Sequence, residues 1–459
     1  MPPPPIAPTP QGGYPLTVET VIVGGGAAGL TAALAAHEAG QEVLVIEADP
    51  VPRGSTALSA GLIPAAGTTI QRATGISGDS PAAFARDIQS KALGENDPAL
   101  VDALAQGAAP VIDWLTDVHA LPFSLVTDFD YPGHTHRRMH GLPSRSGAEL
   151  IDALRAAAEG AGIDILCGAR AETLHHQGRV VTGLTVRRAD GDAEQVGCTR
   201  LILACNGFGG NRGMVATHMP DIADALWFGH DGNRGEALIW GEALGAATGH
   251  LGAYQGHGNV AHPHGILITW AVITEGGVQV NSAGHRFWNE AQGYSEAARA
   301  VLAQPGDRAW TIFDTRIAAV ARQFADFRDA EAQGAVIVAD SVDGLAMATR
   351  LPGAALANTL AALPAEGVTD AFGRRWTGRS LSPPYCAVRV TGALFHTQGG
   401  LVTDGAARVL DLTGQPFPNL FAAGGAACGV SGAGDAGYLS GNGLLSAVVL
   451  GYAAGRGRV

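Results

Sequence analysis

The run Val21-Ile22-Val23-Gly24-Gly25-Gly26-Ala27-Ala28-Gly29 is followed by the alanine-rich stretch Leu30–Ala39 and then by Val43-Leu44-Val45-Ile46-Glu47. Apolar strand, glycine turn, helix and second apolar strand, in that order, read as a dinucleotide-binding βαβ unit. Gly24 permits the tight turn, Gly26 lets the backbone approach a pyrophosphate, and Gly29 lets the helix pack closely on the sheet. The pyrophosphate charge then meets the free N–H groups and positive dipole end of a helix N-terminus. Glu47 falls at about the spacing, roughly 20 residues on, at which a carboxylate binds ribose hydroxyls. Its charge repels a 2′-phosphate, which favours FAD or NAD over NADP. Context carries this reading, because a chain with 65 glycines makes isolated glycine patterns by chance.

At 459 residues the chain is long enough for two or three domains with sizeable cores. No apolar run approaches the roughly 18 residues of a membrane span. The net charge of −13 argues against nucleic acid or an anionic membrane surface as partner, so an anionic substrate must be met by local cations. The five cysteines are odd in number and form no C-x-x-C pair, which suggests neither a disulfide framework nor a metal site. A reducing, cytoplasmic location fits. Residues 1–15 are proline-rich, lack the features of a signal peptide and read as a disordered tail.

The pattern predicts an α/β fold: a Rossmann-type FAD-binding domain interrupted by an inserted α+β capping domain that takes the substrate. Its first part runs over 16–256, the cap over 257–393 and its second part over 394–459. Helices are expected around Pro81–Leu93, Pro98–Val118 and Gly147–Gly160, and strands at Ile163–Cys167, beside the Asp190-Gly191-Asp192 turn, and at Leu201–Ala204 before Asn206-Gly207. The small-residue loop Arg53–Gly61 can wrap a cofactor closely. Near the end, Asn419–Gly425 leads through a glycine-rich loop to Asn442-Gly443-Leu444-Leu445, which opens an apolar helix whose free N–H groups face an electron-rich ring.

Further motifs stand in fixed order: Trp114-Leu115, Phe208-Gly209-Gly210-Asn211, His262-Pro263, Thr274-Glu275, Arg286-Phe287-x-Asn289-Glu290, His396-Thr397-x-Gly399-Gly400 and Ser440-Gly441-Asn442-Gly443-Leu444. With the glycine fingerprint, they make the chain resemble the FAD-dependent fumarate reductase and succinate dehydrogenase flavoproteins from about Leu16 to Gly455. The resemblance implies FAD, held by Gly24, Gly26, Gly29, Glu47, Ser55, Gly61, Asn442 and Leu445. Thr56, Asn206, Gly207 and Leu444 join them as cofactor-binding candidates. Gly425 stands where the family has a ribityl-contacting glutamate. The histidine to which some members attach flavin covalently is missing, because Arg53-Gly54-Ser55-Thr56 occupies that loop, so the FAD is expected to be non-covalent.

The catalytic positions depart from fumarate reductases. The proton-donating arginine and the carboxylate-binding arginine of that family are replaced by Tyr294 and Tyr438. Tyrosines at both places are similar to those of the 3-ketosteroid 1-dehydrogenases of the same superfamily. There, one removes a proton beside a ketone and the other polarises the carbonyl. His262 and His396 match the histidines that hold a carboxylate in fumarate reductases, and Thr274 and Glu275 match its Thr-Glu pair, with Val278 in place of an arginine on the proton path. The loop His134-Thr135-His136-Arg137-Arg138-Met139-His140 concentrates positive charge, and Arg137 and His140 are candidates to meet an anion at the entrance. No metal-ligand spacing occurs there.

These readings converge on a dehydrogenase that forms a C=C bond next to a carbonyl, with a small carbonyl or carboxylate compound as substrate and an external electron acceptor. Reduction of an unsaturated carboxylate is the alternative, and a non-catalytic electron-transfer flavoprotein subunit a second one.

Overall fold

The computed structural model describes residues 5–127, 131–376 and 379–457. The chain divides into two compact units, one made of Met1–Met219, Gly229–Tyr254 and His396–Val459, the other of Pro220–Phe228 and Gln255–Phe395.

In the first unit the strands Asp164–Leu166, Val43–Ile46, Leu16–Val23, Ala193–Leu203 and Pro416–Ala422 lie side by side, all parallel. Val21, Ile22, Val45, Leu201 and Ile202 are fully buried, as the inner strands of a sheet covered on both faces require. The early half of Ala193–Leu203 extends beyond this core and pairs antiparallel with Val180–Arg188, which pairs in turn with Ala169–Gln177. The crossover helix Ala27–Glu38 packs against the carboxy-terminal helix Asn442–Arg456 with almost no side chain between them. A Cβ on Gly451 would stand 2.5 Å from the Ala28 carbonyl oxygen, and one on Gly455 2.4 Å from that of Ala32.

Two expectations are corrected here. The tail is ordered where described: Ile6–Pro8 is a strand pairing in parallel with Ala169–Gln177, while residues 1–4 lie outside the described residues. Proline suits a sheet edge, where no partner needs its missing N–H. Tyr14 fastens the segment, its hydroxyl 2.8 Å from Thr182 Oγ1 and its ring stacked 5.8 Å from His175 over the bare backbones of Gly183 and Gly197. The stretch Pro220–Phe228, assigned by sequence to the cofactor lobe, belongs to the second unit, because Leu226–Trp227 pairs with Ala393 and Leu394.

The second unit is α+β. Its sheet runs in the order Ile266–Leu267, Tyr254–Ala261, Tyr385–Thr397, Arg308–Asp314, Val278–Val280. One face buries Trp270, Trp288, Phe313, Val388 and Val390, and the other packs Ile312 and Ala387 against Leu345, Leu356 and Trp376. Helix Tyr294–Leu302 lies with the first of these cores.

Candidate active site

At Gly24 and Gly29 the glycine fingerprint leaves no room for a side chain. A Cβ on Gly29 would stand 1.8 Å from the Gly24 carbonyl oxygen, and Gly24 itself holds φ at 105°. Glu47 is buried, with Oε2 accepting from the Gly25 N–H at 2.6 Å and Oε1 from the Asp49 N–H at 2.8 Å. Its carboxylate is therefore aimed by the loop that it follows. The Ala27 N–H, at the start of the helix, donates to Thr56 Oγ1 at 3.0 Å, so the loop after the second strand returns to the fingerprint.

Ser55 Oγ, in the same loop, accepts from Asn206 Nδ2 at 2.9 Å and from Asn233 Nδ2 at 2.8 Å. Asn233 is buried and was not foreseen; only its folded position beside Ser55 reveals it. Gly61 packs on Ser146, where a Cβ would stand 2.6 Å from the carbonyl oxygen, and a Cβ on Gly207 would collide with Thr397 Oγ1. Gly425 has a specific cause: a Cβ there would lie 2.0 Å from Asn206 Oδ1. The asparagine amide occupies the space that a side chain at 425 would need.

Asn442 begins the carboxy-terminal helix, fully buried, and neither atom of its amide has a protein partner; Thr397 Oγ1 is orphaned likewise. Buried polar atoms are rarely left so unless a ligand or water satisfies them. Leu445 behind it is buried and Leu444 half-buried. A fingerprint shaped for a pyrophosphate, a carboxylate for a ribose and an unsatisfied amide at a helix N-terminus suit the three parts of FAD.

Tyr438 and His396 meet in the same unit, ring centroids 5.5 Å apart and edge to face. Burial pushes the Tyr438 phenol up to about 12, partly offset by the backbone amides of Gly443 and Gly441. Burial also lowers His396 to about 4, so its imidazole is neutral at pH 7. The Gln398 amide donates to His396 Nδ1 at 2.8 Å and is itself fixed by Ser431 Oγ at 2.7 Å. Accepting that bond, rather than donating to the Thr397 carbonyl oxygen 3.3 Å away, leaves the ring proton on Nε2.

In the second unit Tyr294 is the first residue of its helix, following Gly293 with φ of 136°. Its ring stacks on His257 at 5.0 Å, with Trp270 edge-on at 6.4 Å. His257 is buried and held neutral, lowered to about 3, and its Nδ1 accepts from the Asn259 N–H at 3.2 Å.

His262 is not in this group. It lies beyond the end of the strand Tyr254–Ala261, five residues from His257, an odd separation that turns the two side chains to opposite faces and sets them roughly 16 Å apart. Its neighbours are Arg308, Arg389 and His264, whose positive charge, after desolvation, lowers its pKa. His257, which sequence reasoning did not single out, is the histidine that stacks on Tyr294.

Thr274 closes the short helix Ala271–Thr274 and donates to the Ala271 carbonyl oxygen at 3.2 Å. Glu275 is half-exposed and pairs with Arg316, 3.6 Å away. The basic loop is largely structural. Arg138 is buried and clamped by Asp79 and Asp87. His140, expected to meet an anion, is fully buried with Nε2 on Thr68 Oγ1 at 2.8 Å and Nδ1 on the Arg138 carbonyl oxygen at 2.9 Å, so it is a packing residue. Arg137 donates to the Thr127 carbonyl oxygen and lines a surface cavity with Tyr131 and His136. Among the described residues no helix is long and apolar enough to cross a membrane.

A profile of the FAD binding domain family matches residues 19–444. The probable fumarate reductase Ifc3 of Shewanella frigidimarina (strain NCIMB 400) is 33% identical over 444 residues, covering 96% of this chain and 74% of that protein. A 4-oxocyclohexanecarboxylate 2-dehydrogenase of Sinomonas cyclohexanicum is 25% identical over 537 residues, covering 96% and 92%. The open conformation of a flavocytochrome c3 fumarate reductase matches with a TM-score of 0.81 at 32% identity, over 97% of this chain and 78% of that one. A 3-ketosteroid delta1-dehydrogenase from Sterolibacterium denitrificans, 20% identical over 96% and 98% with a TM-score of 0.77, shares the fold. The chain belongs to the FAD binding domain family and is an FAD-dependent oxidoreductase of the class that acts on CH–CH groups.

Proposed function

We propose that the chain desaturates the C–C bond adjacent to a carbonyl, in a ketone or keto acid, using non-covalent FAD. One observation carries this reading. The Tyr438 phenol and the His396 imidazole, which meet edge to face in the first unit, are both held uncharged by burial, so they suit a neutral carbonyl better than the two charges of a dicarboxylate. The Sinomonas relative, named for a cyclic keto acid, supports it.

Tyr438, protonated throughout the neutral range, donates its O–H to the substrate carbonyl oxygen, and His396 Nε2–H serves as a second donor. Withdrawal of electrons by the carbonyl acidifies the neighbouring C–H. Tyr294, as phenolate, takes that proton. FAD, when bound, supplies the acceptor for the hydride that leaves the next carbon. With an ordinary pKa of about 10, a tyrosine base needs its phenolate stabilised by the bound complex, so turnover should rise with pH.

The reverse reaction, reduction of an unsaturated carboxylate, is the second reading, favoured by the 33% identity to the Shewanella protein. Anaerobic mixing separates the two. Bleaching of the flavin band by saturated keto acids supports the dehydrogenase. Reoxidation of dye-reduced protein by unsaturated acids, without such bleaching, supports the reductase. Silence to both leaves an electron-transfer subunit.

A further inference from the structure

We infer that Asn233 is a positioning residue for the cofactor: together with Asn206 it commits the Ser55 hydroxyl to donate a hydrogen bond to the pyrophosphate of FAD, whichever direction the reaction runs. Ser55 Oγ receives one amide N–H from Asn206 at 2.9 Å and a second from Asn233 at 2.8 Å. A hydroxyl oxygen has two lone pairs and one proton. Both lone pairs are taken, so the proton can only be donated, and among the described residues no protein atom accepts it.

Both amides are held in place. The Gly207 N–H donates to Asn206 Oδ1 at 2.9 Å, which turns Nδ2 toward the serine. Asn233 is buried in the loop 229–235, where its carbonyl oxygen accepts from the Gly210 N–H at 2.9 Å and its N–H donates to the His230 carbonyl oxygen at 3.1 Å. His230 ties the same loop to the end of the second strand. Its Nδ1 accepts from the Gly232 N–H at 3.0 Å, which leaves the ring proton on Nε2, 2.8 Å from Asp49 Oδ2. The Asp49 N–H is in turn held by Glu47, the carboxylate assigned to the ribose. One loop thus braces the segment that runs from the ribose carboxylate to the serine.

The place fixes the acceptor. Ser55 adjoins Thr56, whose Oγ1 takes the Ala27 N–H at the start of the fingerprint helix. Free N–H groups and the helix dipole favour an anion at that end. A hydroxyl with only a proton to offer adds one more donor there, and a charged acceptor strengthens the bond. Removing the Asn233 amide returns a lone pair to Ser55 and with it the freedom to turn its proton elsewhere.

Asn233→Asp and Asn233→Ala separate this role from the filling of space. Aspartate keeps the shape of asparagine but accepts where the amide donates, so it draws the Ser55 proton to itself and sets a negative charge near the pyrophosphate. Equilibrium dialysis gives the FAD dissociation constant, and the rise in flavin fluorescence gives the rate at which loaded protein releases FAD. Asn233→Ala should weaken FAD roughly tenfold and Asn233→Asp on the order of a hundredfold. Ser55→Ala should weaken it roughly tenfold, and Asn233→Ala added to that variant should cost less than about twofold more, because the amide acts through the hydroxyl. An aspartate variant that holds FAD as well as the alanine variant, or losses that simply multiply in the double variant, overturn the inference. Should Asn233→Ala fail to fold, Asn233→Asp decides alone. FAD held as tightly as by the unaltered protein overturns it, and weakened FAD with an unchanged thermal midpoint of the FAD-free protein sustains it.

Discussion

Tyr438 and Tyr294 are the same side chain in opposite surroundings. Tyr438 is buried beside backbone amides and a neutral imidazole, and burial holds it to about 12. Tyr294 stands half-exposed at the start of a helix, flanked by flat rings. The first region is built from backbone and glycine, so that Gly441 and Gly443 present their N–H groups to the phenol. The second is built from side chains that repel water. On the proposed mechanism the first phenol is the donor and the second the base.

Five substitutions and a pH series strain this contrast. Tyr294→Phe should lower kcat on the order of 10³-fold with FAD still bound, the loss typical of a removed general base; an unchanged absorbance spectrum with slowed flavin reduction is the readout. Tyr438→Phe should cost on the order of 10²-fold, as does loss of one donor to a developing oxyanion, and should leave any pH dependence set by Tyr294 in place. Glu47→Gln should weaken FAD roughly tenfold without altering the rate of the loaded protein, because a charged acceptor is replaced by a neutral one; equilibrium dialysis checks it. His257→Ala should cost roughly tenfold in kcat/KM, the scale of a lost aromatic support, while His262→Ala should change it less than about twofold. Equal losses for the two histidines would return His262 to the site.

The smallest effect is on stability. His134, His140 and His396 are lowered to about 4 and His257 to about 3, burial being the largest cause in each. The unfolded chain takes up protons near the ordinary value of 6.5, the folded chain only near 4 or below, so the unfolded state binds more protons between those limits. Stability is therefore complete above about pH 6.5 and falls as the pH drops toward 4. Thermal unfolding at pH 7 and pH 5 should show a lower midpoint in acid, and His140→Gln should narrow the difference. A midpoint unchanged by acid would contradict the burial of these rings.

Sequence reasoning reached as far as local obligations extend. Gly24 and Gly29 meet each other within one turn, and Glu47 binds the loop that precedes it, so the cofactor fold could be read from a stretch of a few dozen residues. Pairings distant in the chain were invisible. The loop around Arg138 read as a concentration of positive charge because Asp79 and Asp87, the partners of Arg138, lie far upstream. Pro220–Phe228 looked like part of the first lobe because the strand that receives it begins at Tyr385. His262 was named from its match to a family motif, whereas the stacking of His257 on Tyr294 appears only in the fold. The proline-rich tail was read by composition, whereas a sheet edge accepts such residues without penalty.

The central claim is that Tyr294 removes a proton beside a ketone. Anaerobic stopped-flow mixing of the FAD-loaded protein with a saturated cyclic keto acid, protonated or deuterated at the carbon next to the carbonyl, tests it most directly. The account predicts bleaching of the flavin band that deuteration slows and that Tyr294→Phe slows on the order of 10³-fold. A flavin that stays oxidised with every such ketone, yet once reduced by dye is rapidly reoxidised by fumarate, would contradict it.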